Sequence, residues 1–120
     1  MGKKILIVDD EPNVVTLCEA RLKAGGYDVV VAYDGQQGLD KVKEEKPDLI
    51  ILDHMMPNLD GFEVCRILKS SEEYKHIPVV MLTASGQASE IEMGLQKGVS
   101  AYVTKPFKAE VLLGIIKGLA

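Results

Sequence analysis

Asp9 and Asp10 close an apolar run near the start of the chain. Asp53 closes a second run, Thr83 a third, and Lys105, with Pro106 behind it, a fourth. Three carboxylates, a hydroxyl and an ammonium form a coherent chemical set. Carboxylates bind hard cations such as Mg2+, an ammonium neutralises phosphoryl oxygens, and a hydroxyl donates to them. An aspartate can attack phosphorus in a reaction that needs positioning and charge neutralisation more than covalent help. Two like charges about 4 Å apart, as Asp9 and Asp10 could be, repel by roughly 4 kcal/mol at an effective dielectric near ~20. A divalent cation removes that penalty. Alone, each residue has a plainer role: a helix-capping acidic turn, a loop acid, a strand-end threonine, one of fourteen basic side chains. The set means more only if one rim of the fold collects it.

The rest of the sequence supplies such a rim. Ile5-Leu6-Ile7-Val8, Leu49-Ile50-Ile51-Leu52 and Val79-Val80-Met81-Leu82 are unbroken apolar runs, as expected of strands covered on both faces. Val29-Val30-Val31-Ala32 and Ala101-Tyr102-Val103 are weaker copies. Helical spacing fills the intervals: Val14, Cys18 and Leu22; Val64 and Leu68; Ile91 and Leu95; Leu112, Ile116 and Leu119. Strand and helix alternate five times, which predicts an α/β fold with a parallel sheet and helices on both faces. In such a sheet the carboxyl ends of the strands share one rim. Pro12 suits a first helical turn, Gly25-Gly26 and Gly98 suit helix ends, and Asp34-Gly35 and Asp60-Gly61 each offer a capping acid. Pro47 and Pro78 are read as helix stops before strands.

With this order in view, the chain resembles a response regulator receiver domain, the phosphoacceptor module of two-component signalling, similar to chemotaxis regulators. The matching residues are Ile5-Leu6-Ile7-Val8-Asp9-Asp10-Glu11-Pro12, Asp53-His54-Met55-Met56-Pro57 with Asp60-Gly61, Leu82-Thr83-Ala84, and Tyr102-Val103-Thr104-Lys105-Pro106-Phe107. Each string alone is common; all four, in order and each after its own strand, are specific. The resemblance covers residues 1–120 as one domain. It implies a (βα)5 doubly wound, flavodoxin-like fold with strand order 2-1-3-4-5. It also implies that Asp53 accepts a phosphoryl group from a histidine kinase or phosphotransfer protein. Asp9, Asp10, Asp53 and the main-chain carbonyl of Met55 are then the Mg2+ ligands. Thr83 and Lys105 contact the phosphoryl oxygens, and a cis peptide joins Lys105 to Pro106. Tyr102 is implied as the switch aromatic, changing rotamer as Thr83 moves, and the downstream target is a protein.

The resemblance also places Met55 and Ser85 beside the path of a hydrolytic water. Neither an apolar nor a short side chain orients water well, so slow self-dephosphorylation is expected. His54 stands where the family has apolar residues; it is read as a packed or surface residue pointing away from Asp53. His76 is read as a surface residue and Cys18 as core. The charged dimer pattern of many DNA-binding members is broken, with Ser100-Ala101 and Ile115 at its positions.

Two other functions fit parts of the pattern. A phosphatase of the haloacid dehalogenase type also uses an aspartate nucleophile and magnesium, but needs a second Asp where Met55 stands. A pseudo-receiver binding module would have lost part of the acidic pocket, and none is missing. The chain is therefore read as a switch and not an enzyme beyond its own phosphorylation and dephosphorylation. A net charge of −4 and no basic cluster argue against direct nucleic-acid binding. No apolar run is long enough for a signal peptide or a membrane span. Two cysteines without metal-ligand spacing fit a cytoplasmic protein with reduced thiols.

The output surface is read from the C-terminal third. The segment Ser85-Gly86-Gln87-Ala88-Ser89, with few apolar anchors, is expected to shift with Thr83. Val111, Leu112, Ile115, Ile116 and Leu119 span an arc of about 140° on the last helix and leave Leu113 outside it. Two readings stay open: the extra apolar residues widen the core contact, or the fourth helix, last strand and last helix make a partner surface with Met93, Tyr102 and Leu113 in it.

Overall fold

The computed structural model describes residues 3–56, 59–83 and 98–119. Its elements are β1 (Lys4–Val8), α1 (Pro12–Ala24), β2 (Asp28–Ala32), α2 (Gly35–Glu45), β3 (Leu49–Asp53), α3 (Gly61–Lys69), β4 (Val79–Thr83), β5 (Ala101–Thr104) and α4 (Ala109–Leu119). The five strands pair in parallel in the order β2-β1-β3-β4-β5, as the sequence predicts. The helix expected around Ile91 and Leu95, the Ser85–Ser89 segment, Met93 and Pro57 lie outside the described residues.

The unbroken apolar runs have a direct cause. Successive strand residues point to opposite faces, and here both faces are covered. Ile5, Ile7, Leu49, Ile51, Val80 and Leu82 pack with Val15, Cys18 and Leu22 of α1 and Leu112 and Ile116 of α4. Leu6, Val8, Ile50, Leu52, Val79 and Met81 pack with Leu39 and Val42 of α2 and Val64, Cys65 and Leu68 of α3. The three unbroken runs are the central strands. The two weaker ones are the edges, where Val29, Val30, Val31 and Tyr102 are only partly buried.

Local signals land where expected. Pro12 opens α1, Asp34 accepts from the Gln37 amide, and Asp60 accepts from the Glu63 amide. Gly26, just after α1, adopts a left-handed φ of 92°; Gly98 has φ 95°, but the helix it is expected to end lies outside the described residues. Two expectations need correction. Pro78 stops no helix: α3 ends at Lys69, and a turn-rich stretch separates it from Pro78, which abuts β4. On α4, Val111 and Leu119 are exposed while Leu113 is half-buried against the core. The covered arc is centred on Leu112 and Ile116 and reaches Leu113, so Val111 and Leu119 are the large apolar side chains of this helix that face solvent. Cys65 of α3 is fully buried.

Candidate functional site

Backbone hydrogen bonds carry the sheet pairing past the strand ends and so fix the rim. The Asp9 amide donates to Ala32 at 3.1 Å, the His54 amide to Leu82 at 2.9 Å, and the Lys105 amide to Thr83 at 2.7 Å. Asp9, Asp53, Thr83 and Lys105 thus hang from one continuous ladder. Gly61 brings the start of α3 against it. Its amide donates to the His54 carbonyl at 2.9 Å. A Cβ at Gly61 would lie 2.5 Å from the Asp53 carbonyl oxygen, so any larger residue would force the Asp53–Met56 loop outward.

Side-chain geometry converges on Lys105. Its Nζ donates to Asp9 Oδ2 at 3.1 Å, Glu11 Oε1 at 3.0 Å and Asp53 Oδ1 at 3.2 Å. Asp9 is fully buried, and its other oxygen accepts from the Glu11 amide at 2.9 Å. Asp53 and Thr83 are buried as well, while Asp10 is exposed. Carboxylate oxygens of Asp9, Asp10, Glu11 and Asp53 all lie within 4.8 Å of one another. Four hard oxygen donors in that space suit Mg2+, which keeps several waters and takes few protein ligands.

The electrostatics follow from burial and crowding. Burial pushes the Asp53 carboxyl up to about 6, the charge of Asp9 adds to this, and Lys105 opposes it. Burial pulls the Lys105 ammonium down, but hydrogen bonds with Glu11 and Asp9 and the charges of Asp9 and Asp53 more than offset it, leaving it above its ordinary value. Burial, then the Asp9 charge, raises the Cys18 thiol to about 11, so it stays protonated in the core.

The other expected residues fall as follows. Tyr102 is half-buried on the α2/α3 face, in register with Met81. Met55 is 68% exposed on the loop after Asp53. The Lys105–Pro106 peptide is cis. His54 packs on Phe62, with ring centroids 4.4 Å apart and the planes tilted by 50°, and His76 is on the surface. Sequence reasoning gave Glu11 no role. Its signal was available, since it directly follows the acidic pair, but nothing local says that it reaches Lys105. Glu11, Val14, Leu17, Lys105, Pro106 and Phe107 line a groove of about 420 Å³.

Residues 5–117 match the model of the response regulator receiver domain. The chain belongs to that family. It is 44% identical over 119 residues to the alkaline phosphatase synthesis transcriptional regulatory protein PhoP of Bacillus subtilis, covering 99% of this chain and 49% of that protein. The chain thus spans about half the length of that curated relative. Among solved structures, chemotaxis protein CheY4 of Vibrio cholerae superposes with a TM-score of 0.94 at 31% identity, with complete coverage of both chains. The receiver domain of a Pseudomonas aeruginosa sensor histidine kinase, solved with magnesium in its active-site cleft, gives a TM-score of 0.89 at 34% identity. It covers 99% of this chain and 98% of that one. This receiver domain is accordingly a phosphorylation-activated switch of two-component signalling. Neither the phosphatase nor the pseudo-receiver alternative is favoured. Among the described residues, no helix is long and apolar enough to cross a membrane.

Proposed function

We propose that Asp53 is the phosphoacceptor of this receiver domain and that residues 1–120 act as one unit. An Asp53 carboxylate oxygen forms a bond to phosphorus as the P–N bond of a donor phosphohistidine breaks. The electron pair of that bond stays on the imidazole nitrogen. The donor is a histidine kinase or a phosphotransfer protein. It approaches along the groove lined by Val14, Leu17 and Phe107, which opens beside Lys105. Asp9, Asp10, Asp53 and the Met55 main chain hold Mg2+, which supplies positive charge to the phosphoryl oxygens. Lys105 pairs with the same oxygens and Thr83 donates its hydroxyl to them. The observation that carries this reading is one ammonium in contact with three carboxylates, two of them buried, at the carboxyl rim.

The chain catalyses nothing beyond gaining and losing its own phosphoryl group. Phosphorylation biases a face that includes Tyr102 and Val111 between two arrangements, and a downstream protein in the cytoplasm reads the result. The decisive measurement is intact mass after incubation with acetyl phosphate, with and without Mg2+. A phosphoryl gain that requires Mg2+ supports the reading; no gain, or a gain equal in chelator, overturns it.

A further inference from the structure

All three ammonium hydrogens of Lys105 are engaged by Asp9, Glu11 and Asp53. An ammonium has three donors and no acceptor. It can therefore bind a phosphoryl oxygen only by releasing one partner. The partners differ. Side chains of Asp9 and Asp53 are 0% and 5% exposed, whereas that of Glu11 is 59% exposed. A divalent cation in the acidic nest competes with the ammonium for the oxygens of Asp9 and Asp53. Glu11 is then the carboxylate toward which the ammonium can withdraw. A fully solvated pair would hold it weakly, but the Lys105 side chain is only 15% exposed.

From this juxtaposition we infer that Glu11 is a positioning residue, which keeps Lys105 at the lip of the pocket while magnesium occupies Asp9 and Asp53, within reach of an arriving phosphoryl group. The inference rests on the phosphoacceptor reading above and adds to it a residue that acts through Lys105.

A double-mutant cycle on magnesium affinity tests it, without any turnover. Calorimetric titration of MgCl2 at fixed ionic strength compares wild type, Glu11→Gln, Lys105→Met and the double variant. Gln keeps the shape of Glu11 and removes its charge. If Glu11 restrains Lys105, removing that charge leaves the ammonium on Asp9 and Asp53, where it competes with the metal. The dissociation constant should then rise about tenfold with Lys105 present and about twofold in the Lys105→Met background, a coupling typical of one salt-bridge network. Equal factors in both backgrounds would overturn the inference. So would a loss of binding in Glu11→Gln that persists without Lys105, because Glu11 would then be a direct ligand. Should Lys105→Met not fold, Lys105→Gln closes the same cycle with a neutral polar side chain. The phosphoryl mass gain of the wild type is scored separately. If that gain is absent, the phosphoacceptor reading fails and this role fails with it. If it is present and the cycle is additive, only the role of Glu11 is lost.

Discussion

Two half-buried lysines sit at opposite ends of the sheet, and their partners differ in kind. At the carboxyl rim Lys105 meets three carboxylates. At the other end, below β4 and β5, Lys69 donates to the backbone carbonyls of Lys75 at 2.9 Å and Ile77 at 2.7 Å. Burial lowers the ammonium of both. For Lys69 that effect prevails, since its acceptors are neutral; for Lys105 the surrounding negative charge reverses it. The contrast separates fastening from chemistry. Neutral carbonyls satisfied by an ammonium make a fixed strap, whereas carboxylates can be claimed by a different cation. Only the second arrangement can exchange partners when a metal or a phosphoryl group arrives.

The largest expected effect concerns the carboxyl rim alone. Asp53→Asn should gain no phosphoryl mass from acetyl phosphate, while the wild type gains it. An equal gain in the variant would move the chemistry to another residue.

Next comes pH. The Asp53 carboxyl is raised from 3.8 to about 6, so the folded protein binds this proton more tightly than the unfolded chain does. Metal-free stability should therefore fall as pH rises across that window and level off above it. Asp53→Asn lacks this slope. Its stability relative to wild type should grow over the same interval by on the order of 2–3 kcal/mol. Added Mg2+ should shrink the difference, because a cation favours the carboxylate. Denaturant titrations at several pH values would reveal it, and a pH-independent difference would refute the assignment.

The lysine contrast itself predicts two smaller losses. Lys69→Met leaves two carbonyls without their donor and should cost about 1–2 kcal/mol, unchanged by Mg2+. Lys105→Met should fold and lose a similar amount without metal, from repulsion among the acids, and should recover with Mg2+. Thermal unfolding of both variants in chelator and in Mg2+ decides this. Equal recovery in the two would erase the distinction.

Smallest is Gly98→Ala. Gly98 has φ +95°, and a Cβ there would stand 2.8 Å from Cγ of Lys69. A loss of about 1 kcal/mol is expected, with magnesium affinity unchanged. A wild-type melting temperature would show that this turn does not hold the Lys69 stem.

Much of this protein is legible from its sequence. Apolar runs, their lengths and the capping acids Asp34 and Asp60 identify strands and helix starts, because local periodicity reports directly which faces are covered. The acids, Thr83 and Lys105 stand out because each follows such a run. The limits of the helical surface are less legible. Val111 and Leu113 are both apolar residues on α4, and only the seating of the helix against the sheet exposes one and half-buries the other.

The sequence by itself determined the five strands and the residues that end them, through hydrophobic pattern and strand-end chemistry. Tertiary structure alone decided that Lys105 binds Asp9, Glu11 and Asp53, residues 96, 94 and 52 positions away. It also decided that Gly61 abuts the Asp53 carbonyl. The physical reason is register. Parallel pairing of β1, β3, β4 and β5 sets which strand ends meet at the rim, and no periodicity within one element carries a distance to another.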